Sequence, residues 1–235
     1  MSQFGFYLSI EPVVLPRKIF IIYFLFVHSF DRIFSPFLAC KKETSIGSPE
    51  DVMAEFRSMT IKGGTQLIDF NRMHRSMLQQ LMGLYKDPAL DMQKSPDVSF
   101  TGEIAADVGG PTKEFFHTAI EALLKMDPLY RMQLFTGEQS HYVPICNLDA
   151  LSSGCFLMVG KLLAHSFLHG GTGLVGLAPA VVKYLASGSV DEAQDVVTTA
   201  DIPDVDIRNL LEKTVYTIII IENMMLGFLN SLGWL

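Results

Sequence analysis

The chain has little cysteine, and that scarcity narrows its setting. The three it has, Cys40, Cys146 and Cys155, are an odd number with no C-x-x-C pair, and no asparagine begins an N-x-[ST] sequon. A disulfide-stapled secreted domain is therefore disfavoured, and the cytosol or nucleus is the expected compartment. Positive charge is in deficit as well: 18 Lys and Arg stand against 25 Asp and Glu, a net charge of -7. Nucleic acids and anionic membranes select for a basic face, so neither is an expected partner. The sequence also lacks G-x-S-x-G, H-E-x-x-H and any Gly-Lys-Ser/Thr phosphate loop. Three common routes to hydrolase, zinc-protease and nucleotidase chemistry are thereby missing.

Apolar residues are plentiful, 49% of 235, enough for one substantial core and a possible subdomain. Two runs are unusual. "RKIFIIYFLFVHSF" holds nine uninterrupted apolar residues, 19–27, which as a helix rise only about 14 Å against a hydrocarbon core of roughly 30 Å. "TVYTIIIIENMMLGFLNSLGWL" is long enough to span but carries Glu222 and Asn223 in its middle. Buried or non-native end segments are expected rather than membrane anchors.

Between these runs the punctuation is helical. Ser48 followed by Pro49, Glu50 and Asp51 predicts a capping box with proline in the first turn. Leu67, Phe70, Met73, Met77, Leu81 and Leu84 recur at spacings of three and four, which predicts a helix over about 65–86. "DVSFTGE" alternates and predicts a short strand. Beyond the Gly109–Gly110 turn and Pro111, a helix is expected with Phe115, Ala119, Ala122, Leu123 and Met126 on one face. "GCFLMVGKLLAHSFLHGG" predicts a strong helix stopped by Gly170 and Gly171, with Lys161, His165 and His169 as a polar stripe on its exposed side. Further helices are expected from Pro179 to the Gly188 stop, after a second capping box of Ser189 and Glu192, and after Asp204. The fold class is α+β, mainly α.

Three candidate chemistries are weak. Gly171, Gly173 and Gly176 have the G-x-G-x-x-G spacing of a dinucleotide turn, with Glu192 and Asp195 near the distance of a ribose-binding acid. A helical period precedes these glycines where a strand is required, and the next helix starts only after them, so a connecting loop is expected. Cys146, Cys155, His165 and His169 suggest zinc. Yet Cys155 and His165, ten residues apart on one helix, would lie about 15 Å apart and could not share a tetrahedral ion. Cys155 at a helix N-terminus has the setting of an activated thiol, but most such cysteines are small core residues. No catalytic, cofactor-binding or metal residue is assigned, and no cofactor is expected.

The middle of the chain resembles a known family. "VSFTGEIAADVGGPTKEFF", residues 98–116, is similar to the HECT-domain signature of a strand ending F-x-G-E followed by D-x-G-G-P/L-T-R/K-E-F-F. "CFLMVGKLLAHSFLHGG", with its Gly160–Lys161 step, resembles the family's long helix, and "LAPAVVKYLASG" and "DIPDVDIRNLLEK" resemble the segments after it. The likeness covers about 96–214 and is closest to divergent HECT-like ubiquitin-protein ligases. It implies the larger, mostly helical N-terminal lobe, in which Asp107, Gly109, Gly110 and Pro111 turn strand into helix and Phe115 and Phe116 anchor that helix.

HECT ligases pass ubiquitin from a conjugating enzyme to a cysteine in a C-terminal lobe, and no cysteine follows Cys155. The expected organisation is an irregular apolar segment, 1–47, a helical lead-in, 48–95, the HECT-lobe-like domain, 96–214, and an apolar tail, 215–235. A ubiquitin-protein transferase relative is expected, truncated before its catalytic lobe and inactive alone. Its implied partner is a ubiquitin-conjugating enzyme or another ubiquitin-system protein once the missing portion is supplied. A non-catalytic interaction module of that system is the alternative, and a membrane-anchored protein the lesser one.

Overall fold

Ser48 starts the first helix as its sequence predicts. The structure, a computed structural model, describes residues 48–103, 110–145 and 147–231. Ser48 Oγ accepts from the Asp51 backbone N–H, and the Asp51 carboxylate accepts from the Ser48 N–H, each at 3.2 Å. The capping box of α1 (Pro49–Thr60) is thus closed in both directions. The expectations that rest on residues 1–47, on the Asp107–Gly109 turn and on Cys146 lie outside the described residues.

The next segment corrects the sequence reading. In place of one helix over 65–86 there is a strand, β1 (Lys62–Phe70), then a turn, then the shorter helix α2 (Met77–Lys86). Ile68 and Phe70 point inward while Leu67 and Asp69 point out, a period of two that the spacing of the other apolar residues concealed. Leu67 is 75% and Met73 91% exposed, so neither belongs to a core face. β2 (Lys94–Phe100) pairs with β1 in parallel, matching Ile68 to Val98 and Phe70 to Phe100. Parallel strands need a crossover, and α2 provides it.

From β2 the chain enters α3 (Gly110–Leu123), whose Phe115, Phe116, Ala119, Ile120 and Leu123 are buried. Met126, expected on the same face, lies past the helix end and is exposed. Loops follow, with the two-residue strands β3 (Phe135–Thr136) and β4 (Val143–Pro144) paired to each other. Then come the short helix α4 (Leu148–Ser152) and α5 (Cys155–Leu168). α5 is buried on nearly every side: α2, α3 and α4 pack on it, and Phe56 of α1 clusters with its Ala164 and Leu168. A helix enclosed all round loses the exposed face that an amphipathic one keeps. The expected exposed stripe is therefore wrong at its centre, because His165 is fully buried.

The chain divides into two compact units, Met1–Phe135 with Pro144–Val175, and Thr136–Val143 with Gly176–Leu235. All of the above up to α5, the β3–β4 pair apart, belongs to the first. In the second, α6 (Pro179–Ser187) ends at Gly188, whose φ of 69° is the left-handed stop that glycine allows. Ser189 caps α7 (Val190–Gln194), but the reciprocal arm of the expected box is unmade, since the Glu192 carboxylate pairs with Lys183 at 2.8 Å. A 3₁₀ turn (Thr199–Asp201) precedes α8 (Val205–Ser231), which Asp204 caps through the N–H groups of Asp206 and Ile207. α8 runs without a break through the segment expected to be a separate tail. The whole is mixed α and β, mainly helical. Among the described residues no helix is long and apolar enough to cross a membrane.

Candidate functional site

The β2-to-α3 stretch is organised by an arginine that the sequence reading passed over. Arg72, two residues beyond β1, donates from Nη2 to Glu103 Oε2 at 3.1 Å and from Nη1 to Glu114 Oε1. Its Cζ lies 3.7 Å from the centroid of the Phe100 ring. One guanidinium thus ties the chain just past β2 to the second turn of α3, using the planar fork and stacking face that lysine lacks. Behind it, the Phe70 and Phe115 rings meet edge to face at 5.0 Å, and Phe115 and Phe116 lie 5.2 Å apart. Phe115 and Phe116 have no exposed surface. The signal for Arg72 was hidden because the strand it follows was read as helix.

A second polar group lies inside the same unit. Tyr85 Oη of α2 and His165 Nδ1 share a hydrogen bond of 3.0 Å, and His165 Nε2 meets no hydrogen-bond partner among the described residues. His169 donates from Nε2 to the Met92 carbonyl at 2.8 Å, and its ring stands edge to face with His165 at 5.1 Å. Lys161 Nζ donates to the Tyr85 carbonyl at 2.8 Å, and Arg57 donates to the Phe167 carbonyl at 3.0 and 3.3 Å. Both carbonyls belong to last helical turns, where a cation is favoured; that of Phe167 also accepts from the Gly170 N–H at 3.4 Å. Burial, with the neighbouring charge of His169 second, pushes the His165 imidazole down to about 3. Burial also lowers His169, against the Met92 carbonyl and together with Arg57. Tyr85 is raised well above its ordinary value by burial alone.

The structure brings two of the four zinc candidates together, His165 and His169, but spends a nitrogen of each on Tyr85 and Met92. Cys155 is buried at the start of α5 with Ser153 Oγ 3.2 Å from its sulfur, a setting closed to a nucleophile's substrate. The G-x-G-x-x-G segment is a loop between α5 and α6, as expected. Its Gly171 has a packing reason: a Cβ there would lie 2.5 Å from Ser166 Oγ and 2.7 Å from Phe116 Cδ2. Asp195 only ends α7, and Glu192 lies on the surface.

The chain matches no family model, no curated protein and no solved structure.

What the two groups can do chemically is limited. Neither presents an accessible nucleophile or a general base facing a cavity. Arg72 fixes a strand-to-helix junction, and the α5 group fixes how three helices meet. These are supporting roles.

Proposed function

We propose that the stretch over about 96–214 is a HECT-type N-terminal-lobe-like scaffold of the ubiquitin system. It supports transfer chemistry carried elsewhere and makes no thioester of its own. The observation that carries this reading is the "SFTGE…GPTKEFF" stretch. Its strand end and helix start are held by one arginine through Glu103 and Glu114, and its Phe115–Phe116 pair fills the core. Phe115 and Phe116, which the resemblance makes the anchors of that helix, are fully buried, and that supports the reading. The buried Cys155 supports the non-catalytic half of the reading.

The test is incubation of the chain with activating enzyme, ATP, ubiquitin and a panel of conjugating enzymes, resolved without reductant. The expected result is no thiol-sensitive ubiquitin adduct on the chain. An adduct that Cys155→Ala abolishes overturns the non-catalytic assignment.

A second reading, an interaction module without a transfer partner, is favoured by α8. Leu210, Val215, Tyr216, Ile218, Ile219 and Ile221 are all exposed on it, more apolar surface than an isolated solvated helix ordinarily carries. Self-association or capture of a ubiquitin-system protein that α8 charge substitutions abolish would favour this reading.

A further inference from the structure

The α5 group has a consequence beyond its structural role. Four basic side chains lie around the C-terminal half of α5: Arg57 from α1, Lys161 and His165 from α5 itself, and His169 from its C-cap. Each is satisfied by a neutral oxygen, or, at His165 Nε2, by nothing. α2 faces the group with the neutral phenol of Tyr85, and α3 with the Phe116 ring, 5.1 Å from His165. On the α2–β2 link, Met92 offers its carbonyl. The adjacent Asp91 carboxylate is engaged elsewhere, 4.0 Å from Lys62 and accepting from the Gln93 N–H. His117, next to Phe116 on α3, points outward to Glu121 at 3.3 Å. Among the described residues, no carboxylate makes a hydrogen bond or ion pair with any of the four.

A proton on His165 has no counter-charge to meet and cannot be hydrated while the helices stay packed. Arg57 and Lys161 already carry charge and repel a third. The cheapest response is separation of the helices, which lets water reach both rings. We infer that the seam of α5 with α1 and α2 is an acid-released latch: protonation of the buried His165, beside the half-buried His169, opens it while the β1–β2 sheet stays formed. The segment it would free is the end of α5 with the glycine loop, residues 169–176. That loop is held by His169 on Met92, by Ser166 on the Thr172 carbonyl at 2.5 Å and by the fit of Gly171 against Phe116.

Hydrogen–deuterium exchange of the full chain at about pH 7.5 and pH 5.5, corrected for intrinsic rates, reads this directly. A histidine neutral in the closed state and ordinary in the open one contributes about tenfold to opening across that interval. Protection of peptides covering 161–171 and 80–93 is expected to fall about 10- to 100-fold, while peptides from β1 and β2 keep theirs. His165→Gln should remove about a factor of ten from the fall, and the surface control His117→Gln should leave it unchanged. Equal loss across the seam and the sheet, or a fall indifferent to His165→Gln, overturns the latch. Should that variant not fold, the wild-type imidazole signals decide the matter. His165 is expected to titrate at about 3 while the chain is folded; titration near its ordinary value overturns the proposal.

Discussion

Tyr85 Oη and His165 Nδ1 form a hydrogen bond of 3.0 Å between two fully buried side chains of α2 and α5. Removing the hydroxyl leaves His165 with neither nitrogen satisfied in a site water does not reach. Tyr85→Phe is expected to cost about 1–3 kcal/mol in urea unfolding, although the shape of the core is preserved. The wild-type phenol should also show no ionisation signal near 295 nm at alkaline pH until the chain unfolds.

Asp127 is a buried carboxylate that staples a loop to the start of α2. Burial raises its affinity for a proton, but bonds from Ser76 Oγ at 2.6 Å and from the N–H groups of Tyr130, Leu129 and Leu78 outweigh it, and the carboxyl is held below its ordinary range. A depressed acid contributes stability that is present above its unfolded-state value and lost as pH falls through the folded one. Asp127→Asn is therefore expected to lower stability at neutral pH by about 2 kcal/mol. It should also flatten the acid limb of the unfolding curve below about pH 4. An unchanged acid limb in the variant would contradict this assignment.

Arg72 is expected to resist its conservative replacement. Lysine keeps the charge but loses the fork to Glu103 and Glu114 and the face over Phe100. Since both glutamates are about half exposed, most of the expected loss, roughly 1 kcal/mol, comes from the stacking and geometry. High salt should recover little of it. A difference present in salt-free buffer and abolished by high salt would assign the effect to charge.

Two glycines of the loop after α5 separate packing from motif. At Gly171 a Cβ meets the buried Phe116 and Ser166, so Gly171→Ala should cost about 2 kcal/mol. At Gly173 the nearest atom is the far end of Phe167, 3.1 Å away, and Phe167 is partly exposed. Gly173→Ala should therefore change stability by less than about 0.5 kcal/mol. A dinucleotide turn would need both; thermal unfolding of the two variants distinguishes the cases.

What was legible in the sequence was local chemistry. The Ser48 box, the Pro179 start, the Gly188 stop and the Asp204 cap each depend on side chains within three residues of the backbone they satisfy, and each is where the pattern put it. The strand β1 was not legible, because its inward residues are only Ile68 and Phe70. Leu67 and Met73 supplied a false helical period from the solvent side. Nor was the inward turn of Lys161, His165 and His169. A polar stripe faces water unless distant residues offer oxygens, and Tyr85 and Met92, more than seventy positions away, are invisible to periodicity. The Arg72 clamp failed for the same reason: its partners lie 31 and 42 residues downstream.

The scaffold reading is tested most directly by a chimera. Residues 48–214, which include β1, α2 and Arg72, replace the corresponding segment of a working HECT ligase, folding of the product is verified by a cooperative melt, and ubiquitin loading of that ligase's own cysteine is measured. Loading retained within about tenfold of the parent is the predicted result. It should be lost when Phe115→Ala and Phe116→Ala break the junction. A chimera that melts cooperatively yet loads no ubiquitin would contradict the account.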